Sequence, residues 1–117
     1  MEIYKQTEPD RIFNWKDVTF HIRPRATTGD KHDLVMIGDI KADGRSSVPR
    51  SLMYRRAIEL FVKSWNGVTE NGKQVPFSMA ALDSLPTSSD ETDVILELGA
   101  FIYNHCVSNL PEDKKKV

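Results

Sequence analysis

"PRSLMYRRAIELFVKSWNG", Pro49 to Gly67, is the stretch on which the fold turns. Pro49 suits a first helical turn, where its missing N–H would have had no partner, and Ser47 or Ser51 can cap it. Met53, Ala57, Leu60, Phe61, Ser64 and Trp65 recur at spacings of three and four, while Arg50, Arg55, Arg56, Glu59 and Lys63 fall mostly off that stripe. Gly67 stands where a C-terminal glycine cap belongs. The pattern predicts one long helix from about 50 to 65 whose apolar face needs a cover.

Upstream the chain changes period. In "DVTFHIRPRA", Val18, Phe20 and Ile22 alternate with Thr19, His21 and Arg23, the period of two of a strand with one buried face. Pro24 ends that strand or puts it at a sheet edge. After the polar "TTGDKHD", Leu34 to Ile40 ("LVMIGDI") is apolar and β-branched enough to predict a second strand. The expectation is an antiparallel hairpin or small sheet between Val18 and Ile40, packed on the helices that follow or on a second subunit, because two strands alone are marginal in water.

Downstream, "SWNGVTENGKQVPFS" (Ser64 to Ser78) concentrates unusual residues, each with a backbone reason. Val68 and Val75 flank "TENGKQ", where Asn71-Gly72 signals a hairpin turn with positive φ at both central residues. Ser78 caps a short helix, "MAALDSL", that Pro86 terminates. Ser88 with Glu91 forms a capping box, and Asp90, Glu91 and Asp93 suit the positive end of a helix running from about 90 to 108. Its apolar side carries Val94, Ile95, Leu98, Phe101, Ile102 and His105. The fold class expected is α+β, one domain over 1–117, with 1–15 and 111–117 loosely ordered.

Composition narrows the chemistry. The 117 residues hold 39% hydrophobic and 28% charged side chains, the range of an ordinary single globular domain. Sixteen basic against seventeen acidic side chains leave no basic face for displacing counterions from phosphates, so no nucleic-acid partner is expected. The first fifteen residues contain no apolar signal core, and no run approaches the about 18 apolar residues that span a bilayer. One cysteine, Cys106, rules out an internal disulfide and fits a reducing compartment, so a soluble intracellular chain with no membrane partner is expected.

No residue pattern demands catalysis. His105 and Cys106 are adjacent, and neighbouring helical positions point about 100° apart, so the pair cannot act together. A cysteine or metal-dependent enzyme would need His105, Cys106, His32 and Asp33 to converge; His21, Asp39 and Asp43 are the other metal-ligand types, at no recognised spacing. "GDIKADGR" lacks the end of a phosphate loop. Asp83, Asp90, Glu91 and Asp93 read as helix-end carboxylates, and the groups Arg23 and Arg25, Arg55 and Arg56, and Lys114 to Lys116 as solvated faces, although Tyr54 could stack on a base. Trp65 reads as a core plug whose indole N–H finds a carbonyl. Neither cofactor nor metal is expected, and the chain reads as non-enzymatic.

The order of features from Tyr54 to Lys116 resembles the tail assembly chaperones of long-tailed bacteriophages: a helix ending in "WNGV", the turn "TENGKQVPFS", a small helix closing on "LDSLP", an acidic capped start, an amphipathic helix and a charged tail. The resemblance implies a non-enzymatic factor in the bacterial cytoplasm that coats the tape-measure protein, keeps it soluble, recruits tail-tube subunits and is absent from the finished particle. It also implies a longer frameshifted form, with Lys114 to Lys116 encoded by a slippery run. Partner contacts are then expected on the outer sides of the long helices, with Tyr54, Phe61, Phe101 and Tyr103 as anchors unless they are core. The alternative is a structural subunit retained in the virion, such as a head-tail connector or tail component. Open strand edges would permit a homo-oligomer.

Overall fold

The computed structural model of the chain describes residues 1–37, 50–87 and 92–107. In chain order they form strands β1 (Arg11–Trp15) and β2 (Val18–Ile22), helices α1 (Thr28–Ile37) and α2 (Arg50–Phe61), and strand β3 (Val62–Asn66). The two-residue strands β4 (Thr69–Glu70) and β5 (Lys73–Gln74), helix α3 (Met79–Asp83), helix α4 (Val94–Ile102) and a π-helical turn, Tyr103–Val107, complete them. The architecture is α+β. An antiparallel sheet in the order β1-β2-β3 shares one core with α2 and α4, which pack on each other, while α1 lies on α2.

The alternation at Val18–Ile22 does what its period implies: Val18, Phe20 and Ile22 are all buried. Its partners differ from those expected. Residues 11–15, read as part of a loose end, form β1, which brings Phe13 opposite Phe20 and Trp15 opposite Val18. On the other side β3 sets Trp65 opposite Phe20, with a register break between His21 and Ile22.

The strand expected at Leu34 to Ile40 is corrected: up to Ile37 the chain is helix α1, and 38–40 lie outside the described residues. Local capping overrides the β-branched composition. Asp30 N–H donates to Thr27 Oγ1 (3.2 Å) and Thr27 N–H donates to Asp30 Oδ2 (2.9 Å), a reciprocal box that satisfies two first-turn donors. Ser47, a candidate cap, and the segment "GDIKADGR" also lie outside the described residues.

The single helix expected from 50 to 65 is corrected as well, because α2 stops at Phe61 and the chain turns extended. Arg23 is the cause. Its Nε (3.1 Å) and Nη2 (2.8 Å) both donate to the Leu60 carbonyl, and its backbone N–H donates to the Phe61 carbonyl (2.9 Å). Helix-end carbonyls are thereby satisfied by the residue just past β2, and the residues beyond are free to pair with β2. Arg23 also lies 4.6 Å over the Phe61 ring. Gly67 consequently caps no helix. It turns the chain after β3 at φ +100°, where a Cβ would fall 2.2 Å from the Asp17 carbonyl oxygen.

The loop that follows is as expected. Asn71 (φ 53°) and Gly72 (φ 79°) turn the β4–β5 hairpin, Val75 N–H donates to the Val68 carbonyl (2.9 Å), and Ser78 Oγ accepts from Ala81 N–H (3.0 Å) at the start of α3. Trp65 is the core plug expected, on a strand rather than a helix: its Nε1–H donates to the Val75 carbonyl (2.7 Å), and its ring meets Phe77 edge-on. The last helix starts later than expected, since Asp93 is its N-cap and accepts from Leu96 N–H (2.9 Å). The capping box at Ser88 and Glu91 lies outside the described residues. Val94, Leu98, Ile102 and Cys106 form the buried side, so Cys106 and not His105 takes the core position.

Candidate functional site: a cleft at the edge of the sheet

The four aromatic residues expected as anchors fall in different places. Phe61 is fully buried at 0% exposure in the core and is unavailable to a partner. Tyr54 and Tyr103 are half-buried and pack on one another, with ring centroids 5.5 Å apart, so α2 and the π-helical turn after α4 use them on each other. Phe101 lines a concavity. Its ring lies 5.0 Å from Phe13 and 4.5 Å from His105, one turn along the helix, and the two side chains make a wall at the end of α4.

That wall bounds a cleft of about 500 Å³ whose other sides are Glu8 to Ile12 and Pro24. Short polar contacts fix the segment before β1. Gln6 Nε2 donates to Asp10 Oδ1 (2.6 Å) and the Glu8 carbonyl (3.0 Å), Lys63 Nζ donates to Asp10 (2.9 Å), and Arg25 pairs with the Glu8 carboxylate. These partners hold both carboxyls below their ordinary values, Arg25 acting first on Glu8 and Gln6 first on Asp10. Both acidic walls are thus already neutralised. Ile12, 45% exposed, the exposed Pro9 and the half-buried Phe101 supply apolar surface, while Pro24 is buried.

Two features make the cleft more than a dent. Among the described residues β1 has a strand neighbour on one side only, so its other side presents backbone donors and acceptors of the kind that pair with an added strand. Arg11 is the second. Its Nε is buried and finds no acceptor, and among the described residues no carboxylate pairs with it. It lies beside the Cys106 thiol, which burial pushes up and Arg11 only partly brings back. A thiol 1% exposed and held protonated is a core group, not a nucleophile.

The other chemistry-bearing residues do not converge. Among the described residues no three His, Cys, Asp or Glu side chains come together as a metal site. Asp33 pairs with Arg56 (2.9 Å), Asp83 takes a two-pronged pair from Arg55 (2.6 and 3.0 Å), and Arg23 pairs with Asp30 (2.9 Å), so the arginine groups are each met by carboxylates. A second groove of about 320 Å³ lies between the β4–β5 hairpin and α3, lined by Val68, Val75, Ala81, Leu85 and Pro86. No described helix is long and apolar enough to cross a membrane. Compared with protein-family models, with curated proteins and with solved structures, the chain matches none.

Proposed function

We propose that the protein is a non-enzymatic assembly factor that works by binding other proteins, and specifically a phage tail assembly chaperone acting in the cytoplasm of the bacterial host. The observation that carries the protein-binding half is the cleft at the β1 edge: half-exposed apolar side chains beside unpaired strand backbone form a surface suited to a polypeptide. The phage half rests on the order of motifs from Tyr54 to Lys116. In this reading the cleft docks a segment of the tape-measure protein or a tail-tube subunit, and Phe101 is the anchor retained from the four aromatic candidates.

Co-expression tests it. The chain is produced together with a tape-measure protein of a long-tailed bacteriophage, the proposed client, and the soluble fraction of that protein is measured. The expected result is that the client moves from the pellet to the supernatant and co-elutes with the chain; a client that stays insoluble contradicts the chaperone reading. Mass spectrometry of purified particles separates this from a retained structural subunit, since a chaperone is absent from the virion.

A further inference from the structure

Every charged wall of the cleft except one is already spoken for. Glu8 is held by Arg25 and Asp10 by Lys63, whereas Arg11 has no carboxylate partner among the described residues and keeps a buried Nε without an acceptor. Arg11 is half-buried at the cleft lining, and a half-desolvated guanidinium without an ion pair is stabilised by a carboxylate that enters the cleft beside it. His105 stands at the same cleft, exposed and stacked on Phe101, with ring nitrogens able to donate. Arg11 and Phe13 lie on the inner face of β1, so a strand laid along the open edge would bring alternate side chains to this wall.

We propose that the cleft reads an extended segment of a partner protein in which a carboxylate side chain is flanked at alternate positions by apolar residues, with Arg11 and His105 receiving the carboxylate and Phe101 an apolar neighbour. The unpaired positive charge fits an acidic residue and disfavours a basic one, which gives the cleft selectivity beyond apolar contact. This deepens the protein-binding reading above and rests on it for the class of partner only, not for the phage assignment.

The test uses three peptides, acetyl-Thr-Val-Thr-Glu-Thr-Val-Thr-amide and its counterparts with Gln or Lys in place of Glu, titrated into the ¹⁵N-labelled full chain. The Glu peptide is expected to shift the amides of Arg11, Ile12, Phe101 and His105 and to bind about tenfold tighter than the Gln peptide, the scale of one charge-assisted hydrogen bond. Arg11→Gln is expected to erase the difference between the two, and Lys73→Gln, which removes the same charge from the hairpin, to preserve it. Equal affinity for the Glu and Gln peptides, shifts confined to other surfaces, or no binding of the Glu peptide overturns the proposal, and the wild-type comparison decides even if Arg11→Gln does not fold. Discrimination that survives while co-expression fails rejects the phage assignment and keeps the site; the reverse keeps the assignment and rejects the site.

Discussion

Arg23 and Leu60, 37 residues apart, are joined by two hydrogen bonds from one guanidinium to one carbonyl, at 3.1 and 2.8 Å. The same guanidinium pairs with Asp30 in the first turn of α1. One side chain just past β2 therefore ends α2 and anchors α1. Arg23→Ala leaves a helix-end carbonyl and a partly buried carboxylate without partners, and the expected loss is about 2–4 kcal/mol, measured by urea denaturation. Arg23→Lys, which cannot reach both acceptors in one plane, is expected to recover less than half of that.

Asp30 makes the stability depend on acid. Burial alone would raise its carboxyl, but the Thr27 N–H and Arg23 outweigh that and hold it below its ordinary value of 3.8. A depressed carboxyl stabilises the fold above the unfolded-state value and loses that contribution as pH falls through the folded one. The urea midpoint is expected to hold from pH 7 to about 5 and to drop below about 4. Asp30→Asn, less stable at neutral pH, is expected to show a shallower drop; an unchanged slope removes Asp30 as its source.

Gly99 lets α2 and α4 meet. A Cβ at that position would lie 2.3 Å from both Cβ and Cγ of Tyr54. Gly99→Ala improves helix propensity by about 1 kcal/mol, yet it is expected to destabilise by a net ~1–3 kcal/mol because it overpacks the contact. Combining it with Tyr54→Ala is expected to cost less than the sum of the two single changes, since the smaller side chain makes room. Additivity would place the clash elsewhere.

Tyr103 presents the opposite case. Its hydroxyl is buried and has no hydrogen-bond partner, and burial raises its pKa, with Tyr54 adding to the shift. Tyr103→Phe removes an unpaired polar atom while keeping the ring against Tyr54, so it is expected to be neutral or to stabilise by up to about 1 kcal/mol in thermal denaturation.

These contacts explain which parts of the fold were legible in the sequence. The inward set Val18, Phe20 and Ile22, the Asn71-Gly72 turn and the Ser78 cap each depend on residues within one element or one turn, and each took the expected form. Leu34 onward misled because its composition favours a strand, while the deciding Thr27–Asp30 box lies upstream in residues that read as loop. The break between Phe61 and Val62 carried no local signal at all, since Ser64 and Trp65 continue the helical spacing and the stop is imposed from Arg23. Of the cleft, Phe101 was visible as an aromatic on an amphipathic helix. Arg11 and Ile12 were missed, although "RIFNW" has Phe13 and Trp15 alternating with Asn14, a period-two trace too short to stand without its partner strand.

The central claim is that the client docks at the cleft between β1 and the end of α4. Ile12→Lys tests it most directly, because Ile12 is 45% exposed and contributes little to the core. The measurement is the soluble, co-eluting fraction of the tape-measure protein on co-expression with this variant, with the variant's melting temperature recorded alongside. The expected result is loss of most of the soluble client with a melting temperature within a few degrees of the parent. A client that remains soluble and bound at parental levels contradicts the claim.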